Sequence, residues 1–167
     1  RRLREVLLES MIALGERDDF AASVYLDAVE TGTNSEALRL LAEIYIERGD
    51  ISIPTVPYIQ LALDKGIDGT APRLSEESLR KLSGLILAGA HEHIDKLKLL
   101  QSIFRQGYYD RDTLSYMSDA LAEQGKFDDL SIKVMSLAFE QRLITKRAVL
   151  ILSEHCLANE RDDEFAI

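Results

Sequence analysis

Ser118 to Asp129 reads SDALAEQGKFDD, and moving 35 residues on gives Ser153 to Glu164, SEHCLANERDDE. Moving 35 residues back gives Ser83 to Ile94, SGLILAGAHEHI. Near the start, Gly15-Glu16-Arg17-Asp18-Asp19-Phe20 matches Gly125-Lys126-Phe127-Asp128-Asp129-Leu130, and Gly49-Asp50-Ile51 lies 34 residues after Gly15. A second marker runs in parallel. Gly32, Gly66 and Gly107 close the apolar runs VETG, LDKG and FRQG, with Gln141-Arg142-Leu143 at the next equivalent place. Its spacings are 34, 41 and about 35. Both markers absorb the same extra residues in the middle step, as a single insertion requires. Self-similarity at this period is the signature of stacked helical hairpins.

Between the markers the apolar spacing is helical. Leu38, Leu41, Ala42, Tyr45 and Ile46 follow the i, i+3, i+4, i+7 rule, as do Leu114, Met117, Leu121 and Ala122. Asn34 and Ser35 precede Glu36, and Ser75 precedes Glu76 and Glu77, which is an N-cap followed by acids in the first turn. Glycine at the end of each second helix suits a left-handed C-cap. No segment alternates at period two, so no strand is predicted. The reading is an all-α chain, an α-solenoid of about ten helices arranged as four full antiparallel pairs and a truncated fifth. The repeats are 1–33, 34–67, 68–110, 111–145 and 146–167, in one helical-repeat domain. Pro54 and Pro57 predict a shortened second helix in the second pair, starting at or after Ile53. The insertion, Ile67 to Ser78, is read as a connecting loop ahead of a capped helix.

The net charge is −9, with an apolar share of 46% and a charged share of 29%. Residues 1–70 hold 7 basic and 13 acidic side chains, net −6, and the rest hold 13 and 16, net −3, so neither half is basic. That balance argues against a partner tracked through its phosphates. Arg142, Lys146 and Arg147 form the one basic patch, read as a solvated helix end suited to the C-terminal dipole. No window approaches the ~18 apolar residues of a membrane span. Cys156 is the only cysteine, read as a small core residue, so no internal disulfide forms. A soluble chain is expected, with cytoplasm and bacterial periplasm both compatible. It starts without Met and stops mid-pattern at Ile167, so an excerpt of a longer array is expected.

These residues resemble tetratricopeptide repeats. Gly49-Asp50 lies at that family's turn, Ala42 and Tyr45 take its small and tyrosine positions in the first helix, and Ala28 its small position in the second. Pro54 departs from the pattern, and the family's opening aromatic is absent throughout. Sel1-like and pentatricopeptide repeats share the period class. FRQGYYD and FEQRLIT look like pentatricopeptide second-helix endings. The base-reading positions implied by that cousin fall on Leu40, Lys81, Tyr116 and Ile151, three of which cannot read a Watson–Crick edge. The tetratricopeptide resemblance implies a superhelical arc whose first helices line a concave groove. Six residues before each turn position stand Glu9, Glu43, Gly84, Asp119 and Glu154, four acids at the structural period. Glu9, Glu43, Asp119 and Glu154, with Arg39 and Arg80, are therefore the candidate partner-binding residues. An acidic groove would attract a basic peptide or protein face.

Catalytic and metal chemistry find no pattern. His91 and His93 lie about 200° apart on a helix, so they do not share a face. His155 and Cys156 diverge by about 100°. Asp18-Asp19 and Asp128-Asp129 recur with the repeat and read as helix N-terminal acids. The expectation is no enzyme, no cofactor and no metal. The leading function is a protein–protein interaction scaffold for a basic partner, of the kind found in secretion and export assemblies, chaperone complexes and signalling hubs. The alternatives are pentatricopeptide-like RNA binding and a structural spacer, with homodimerisation through exposed terminal repeats.

Overall fold

The computed structural model describes residues 2–89 and 92–158, except for the side chains of Cys156 and Ala158. Among the described residues the chain is all-α, with no strand. Its helices are α1 (Arg2–Leu14), α2 (Asp19–Glu30), α3 (Ser35–Glu47), α4 (Val56–Asp64), α5 (Glu76–Ala88), α6 (Lys96–Arg105), α7 (Arg111–Gln124), α8 (Asp129–Glu140) and α9 (Lys146–Ala158). The second helix expected in the truncated fifth pair falls on residues 159–167, outside the described residues.

The chain forms two compact units, the first running to Tyr108 and the second starting at Tyr109. In the first, α1 packs on α2, α3 on α4 and α5 on α6 as hairpins. First helices stack in turn, α1 on α3 and α3 on α5, while α2 also packs on α3 and α4 on α6. In the second, α7 packs on α8 and on α9, the first helix of the next pair. Each unit therefore has the α-solenoid arrangement the periodicity implies. The apolar stripes supply the cores: Leu38, Leu41, Ala42 and Ile46 are buried in one unit, and Leu114, Met117, Leu121 and Ala122 in the other.

Helix starts are capped by side chains. Asp18, Asn34, Ser75, Asp95, Asp110 and Asp128 each accept from a backbone N–H of the first turn. The two Asp-Asp pairs are thus a cap followed by a first-turn acid, as read from the repeat. Helix ends close through left-handed residues. Thr33 N–H donates to Ala28 O and Gly32 N–H to Val29 O, both at 3.0 Å. Leu143 N–H to Ala138 O at 2.8 Å and Arg142 N–H to Phe139 O at 3.0 Å repeat the motif after α8. There φ is 59° on an arginine, the one non-glycine residue with positive φ among those described. Lys146 and Arg147 open α9 rather than closing a helix, correcting the expectation of a C-terminal cationic end. Arg147 is instead paired with Glu123 at 3.1 Å.

In the second pair, α4 starts at Val56 with Pro57 in its first turn and runs only 9 residues. Thr55 Oγ1 donates to Asp50 O at 2.6 Å and holds the preceding turn. The insertion is tied down. Gln106, which caps α6, donates from Nε2 to Leu63 O at 3.1 Å and Pro72 O at 3.0 Å. Its Oε1 accepts from Leu74 N at 3.2 Å, and Leu74 is buried. Gly66 lies at φ 64°, and a Cβ there would stand 2.2 Å from Thr70 O.

Two stability predictions follow from these turns. Gly66→Ala combines left-handed strain with a backbone clash and should cost more than about 2 kcal/mol, whereas Gly15→Ala, with open space at its Cβ, should cost about 1 kcal/mol. Arg142→Gly removes the left-handed strain and should stabilise the chain by about 0.5–1 kcal/mol. Denaturant unfolding of the three variants measures both.

Candidate functional site

Glu43 is 1% exposed, although it stands at the period of the expected acidic groove. Its carboxylate is used inside the first unit. Oε1 pairs with Arg39 one turn back on α3 and stands 3.6 Å from Arg17 in the α1–α2 turn. Oε2 accepts from Ser78 Oγ on α5 at 3.0 Å and faces Ser75 N at 3.5 Å. Arg39 also donates to Glu36 at 2.9 Å. The hydrogen bond to Glu36, helped by the charges of Glu36 and Glu43, raises the guanidinium's pKa against the cost of its burial. Arg17 pairs with Glu47, and Lys81 Nζ donates to Glu47 O, the last carbonyl of α3, at 2.6 Å. A cleft of about 440 Å³ opens over this cluster.

The same position recurs in the second unit. Asp119 on α7, half-buried, accepts from Thr145 Oγ1 at 3.2 Å, and Thr145 also caps α9 by accepting from Ala148 N. These residues line a cleft of about 280 Å³ with Glu123 and Arg147. Ser75 precedes α5 as Thr145 precedes α9, so in both units the periodic acid faces the N-cap of the next first helix. Glu9 completes the series. It lines a cleft of about 310 Å³ with Thr33 and Asn34, the residues leading into α3. At Glu43 and Asp119 the acidic period marks a joint between successive first helices, while Glu9 only lines the cleft at the equivalent place. Glu43 does not belong to an exposed acidic surface, because Ser75 and Ser78 follow the insertion and close over it.

The remaining candidates are scattered. Glu9 and Glu154 are exposed. Arg80 is exposed and paired with Glu76 at 3.2 Å on its own helix. Gly84 is exposed with open space around it. His91 lies outside the described residues, and His93 Nε2 donates to Ile51 O at 3.2 Å. The Cys156 side chain likewise lies outside them, while the His155 ring stacks on Phe127 with centroids 3.8 Å apart. Among the described residues no group of three or more His, Cys, Asp or Glu could hold a metal ion, and no helix is long and apolar enough to cross a membrane.

The cleft at Glu9 differs from the other two. Leu8, Val24 and Ala28 form its apolar floor, and Glu5, Glu9 and Asp27 its acidic rim. Arg4, its one cationic lining residue, stands 3.5 Å from Asp27. Glu5 and Glu9 form no ion pair among the described residues. Sequence reasoning missed Glu5 and Asp27, which carry no repeat signal of their own. No protein-family model, no curated protein and no solved structure matches the chain.

The buried joint sets a stability prediction. Glu43→Ala removes the acceptor of the buried Ser78 hydroxyl and leaves Arg39 with Glu36 alone, and should cost about 2 kcal/mol in denaturant unfolding. Glu9→Ala at the equivalent exposed position should change stability by less than about 0.5 kcal/mol. Equal costs at the two sites would contradict the buried joint.

Proposed function

We propose that this chain is a tetratricopeptide-like interaction module that holds a basic segment of a partner protein at the cleft between α1 and α2. The observation that carries the reading is an apolar floor beside two carboxylates, Glu5 and Glu9, that form no ion pair among the described residues. A lysine or arginine side chain has the matching chemistry, an apolar stem that lies on Leu8, Val24 and Ala28 and a cationic head for Glu5 and Glu9. The net charge of −9 supports it further, since a long-range negative field raises the encounter rate with cationic segments. Glu43 and Asp119 serve this reading indirectly. Each joins successive first helices within its own unit, while Glu9 carries the recognition. The helical-repeat architecture suits such a role, because stacked hairpins offer an extended surface without a catalytic centre.

Fluorescence anisotropy with a labelled Lys/Arg-rich peptide tests the proposal. The unaltered chain should bind more tightly at low salt than at high salt. Glu5→Lys/Glu9→Lys should weaken binding at least ~10-fold, by reversing both rim charges. Arg80→Glu, remote from the cleft and already paired on its own helix, should leave the affinity unchanged. Peptide binding that ignores the Glu5/Glu9 reversal would overturn the assignment.

A further inference from the structure

Asp68-Gly69, at the tip of the segment between α4 and α5, is the one place in the chain where glycine follows aspartate. Asp68, Gly69 and Thr70 are all exposed. Asp68 Oδ1 accepts from Thr70 N at 3.0 Å, a turn that folds the carboxyl group back along the Gly69 peptide. Among the described residues the Gly69 N–H has no hydrogen-bond partner. Gly69 lies at φ 86°, and a Cβ there would meet nothing within 4 Å. An unengaged amide, an adjoining carboxyl group and a residue free to rotate are what closure of a cyclic imide needs.

No other described aspartate meets the three conditions together. Asp50 also lies in a turn, yet the Ile51 N–H after it donates to Gly49 O at 3.1 Å, and Ile51 is buried and β-branched. Asp18, Asp95, Asp110 and Asp128 are held as helix caps, and the residue after each is fixed at the first helical position.

We propose that Asp68-Gly69 is a site of spontaneous main-chain isomerisation in the folded protein, and that the modification slackens the anchored segment. The Gly69 amide nitrogen bonds to Asp68 Cγ. The amide proton and the hydroxyl of the protonated carboxyl group leave together as water, giving the cyclic imide. Water then adds to either of its carbonyls. Addition at Cγ restores aspartate. Addition at the main-chain carbonyl carbon gives isoaspartate, in which the chain runs on through Cβ and Cγ and the α-carboxylate becomes the side group. The water lost is the water regained, and nothing is oxidised or reduced. The product carries an added main-chain methylene between Gly66 and Thr70, where a Cβ on Gly66 would stand 2.2 Å from Thr70 O. That added length is passed toward Leu74 and Ser75, whose N–H groups face Gln106 and Glu43. The site is separate from the cleft at Glu9, and neither proposal depends on the other.

Ageing the folded chain at neutral pH and mapping it by mass spectrometry tests the proposal, beside a sample aged in denaturant. Trypsin cuts after Lys65 and Arg73, so Asp68 is read in the peptide 66–73. There isoaspartate separates by chromatography and is placed by electron-transfer fragmentation. In the folded chain, isoaspartate at 68 should exceed that at Asp50 at least ~10-fold, because glycine is free to rotate and isoleucine is stiff. Asp68→Glu, whose imide needs a larger ring, should form none. Asp68→Asn should reach the same products faster, with ammonia as the leaving group. Once separated, the isomerised chain should unfold at a lower denaturant concentration than the fresh chain, while aged Asp68→Glu keeps its midpoint. Isoaspartate at 68 in the denatured sample and none in the folded one overturns the proposal. An isomerised chain that unfolds at the fresh chain's midpoint overturns it equally.

Discussion

Helices of 9 to 14 residues are too short to persist alone in water, so each helix here depends on the neighbour that covers its apolar stripe. In the first unit α3 has a neighbour of its own kind on either side, α1 before and α5 after, and in the second α7 and α9 pack on each other. Leu41, Ile46, Leu82, Ala122 and Leu152 on these helices are all buried. Polar groups must be satisfied at the same interfaces, because a carboxylate enclosed between helices without partners costs several kcal/mol. Arg39, Arg17 and Ser78 meet that condition at Glu43, and Thr145 meets a milder version of it at Asp119.

The turns were the most legible part of the sequence. A left-handed residue after a helix is a local requirement that glycine meets at no steric cost, so Gly32, Gly66 and Gly107 announce helix ends whatever surrounds them. The position of Arg142 could be read only because three glycines had set the register. The start of α4 was legible for a similar reason, since Pro57 is tolerated only in a first turn. Asp95 and Asp110 were legible in principle and not singled out; Asp110 and Thr113 form a capping box whose second member is threonine rather than the glutamate the usual pattern seeks.

The acidic period shows where sequence reading stops. Recurrence at the repeat length identifies a shared place on each first helix, and it does so correctly for Glu9, Glu43 and Asp119. It cannot say what lies opposite that place. Glu43 is enclosed because the segment after Gly66 delivers Ser75 and Ser78 to it, and that segment is the one irregular stretch in the chain. Glu9 stays open because Thr33 and Asn34 follow a short regular turn. Nonlocal placement, not residue type, separates a structural carboxylate from an accessible one.

The anchoring of the insertion bears on how this sequence can change length. Its beginning is fixed by Gly66, where backbone passes against backbone, and its far end by Gln106, whose amide engages Leu63, Pro72 and Leu74 together. Adding or removing one residue there would displace Ser75 and Ser78, and with them the partners of Glu43. The turn at Gly15 has open surroundings, and its links to α3 run through the long side chains of Arg17 and Arg48, which can follow a shifted turn. Lineages descending from this chain would therefore accumulate insertions and deletions at the regular turns and conserve the length of the segment that looks, in sequence, like the irregular one.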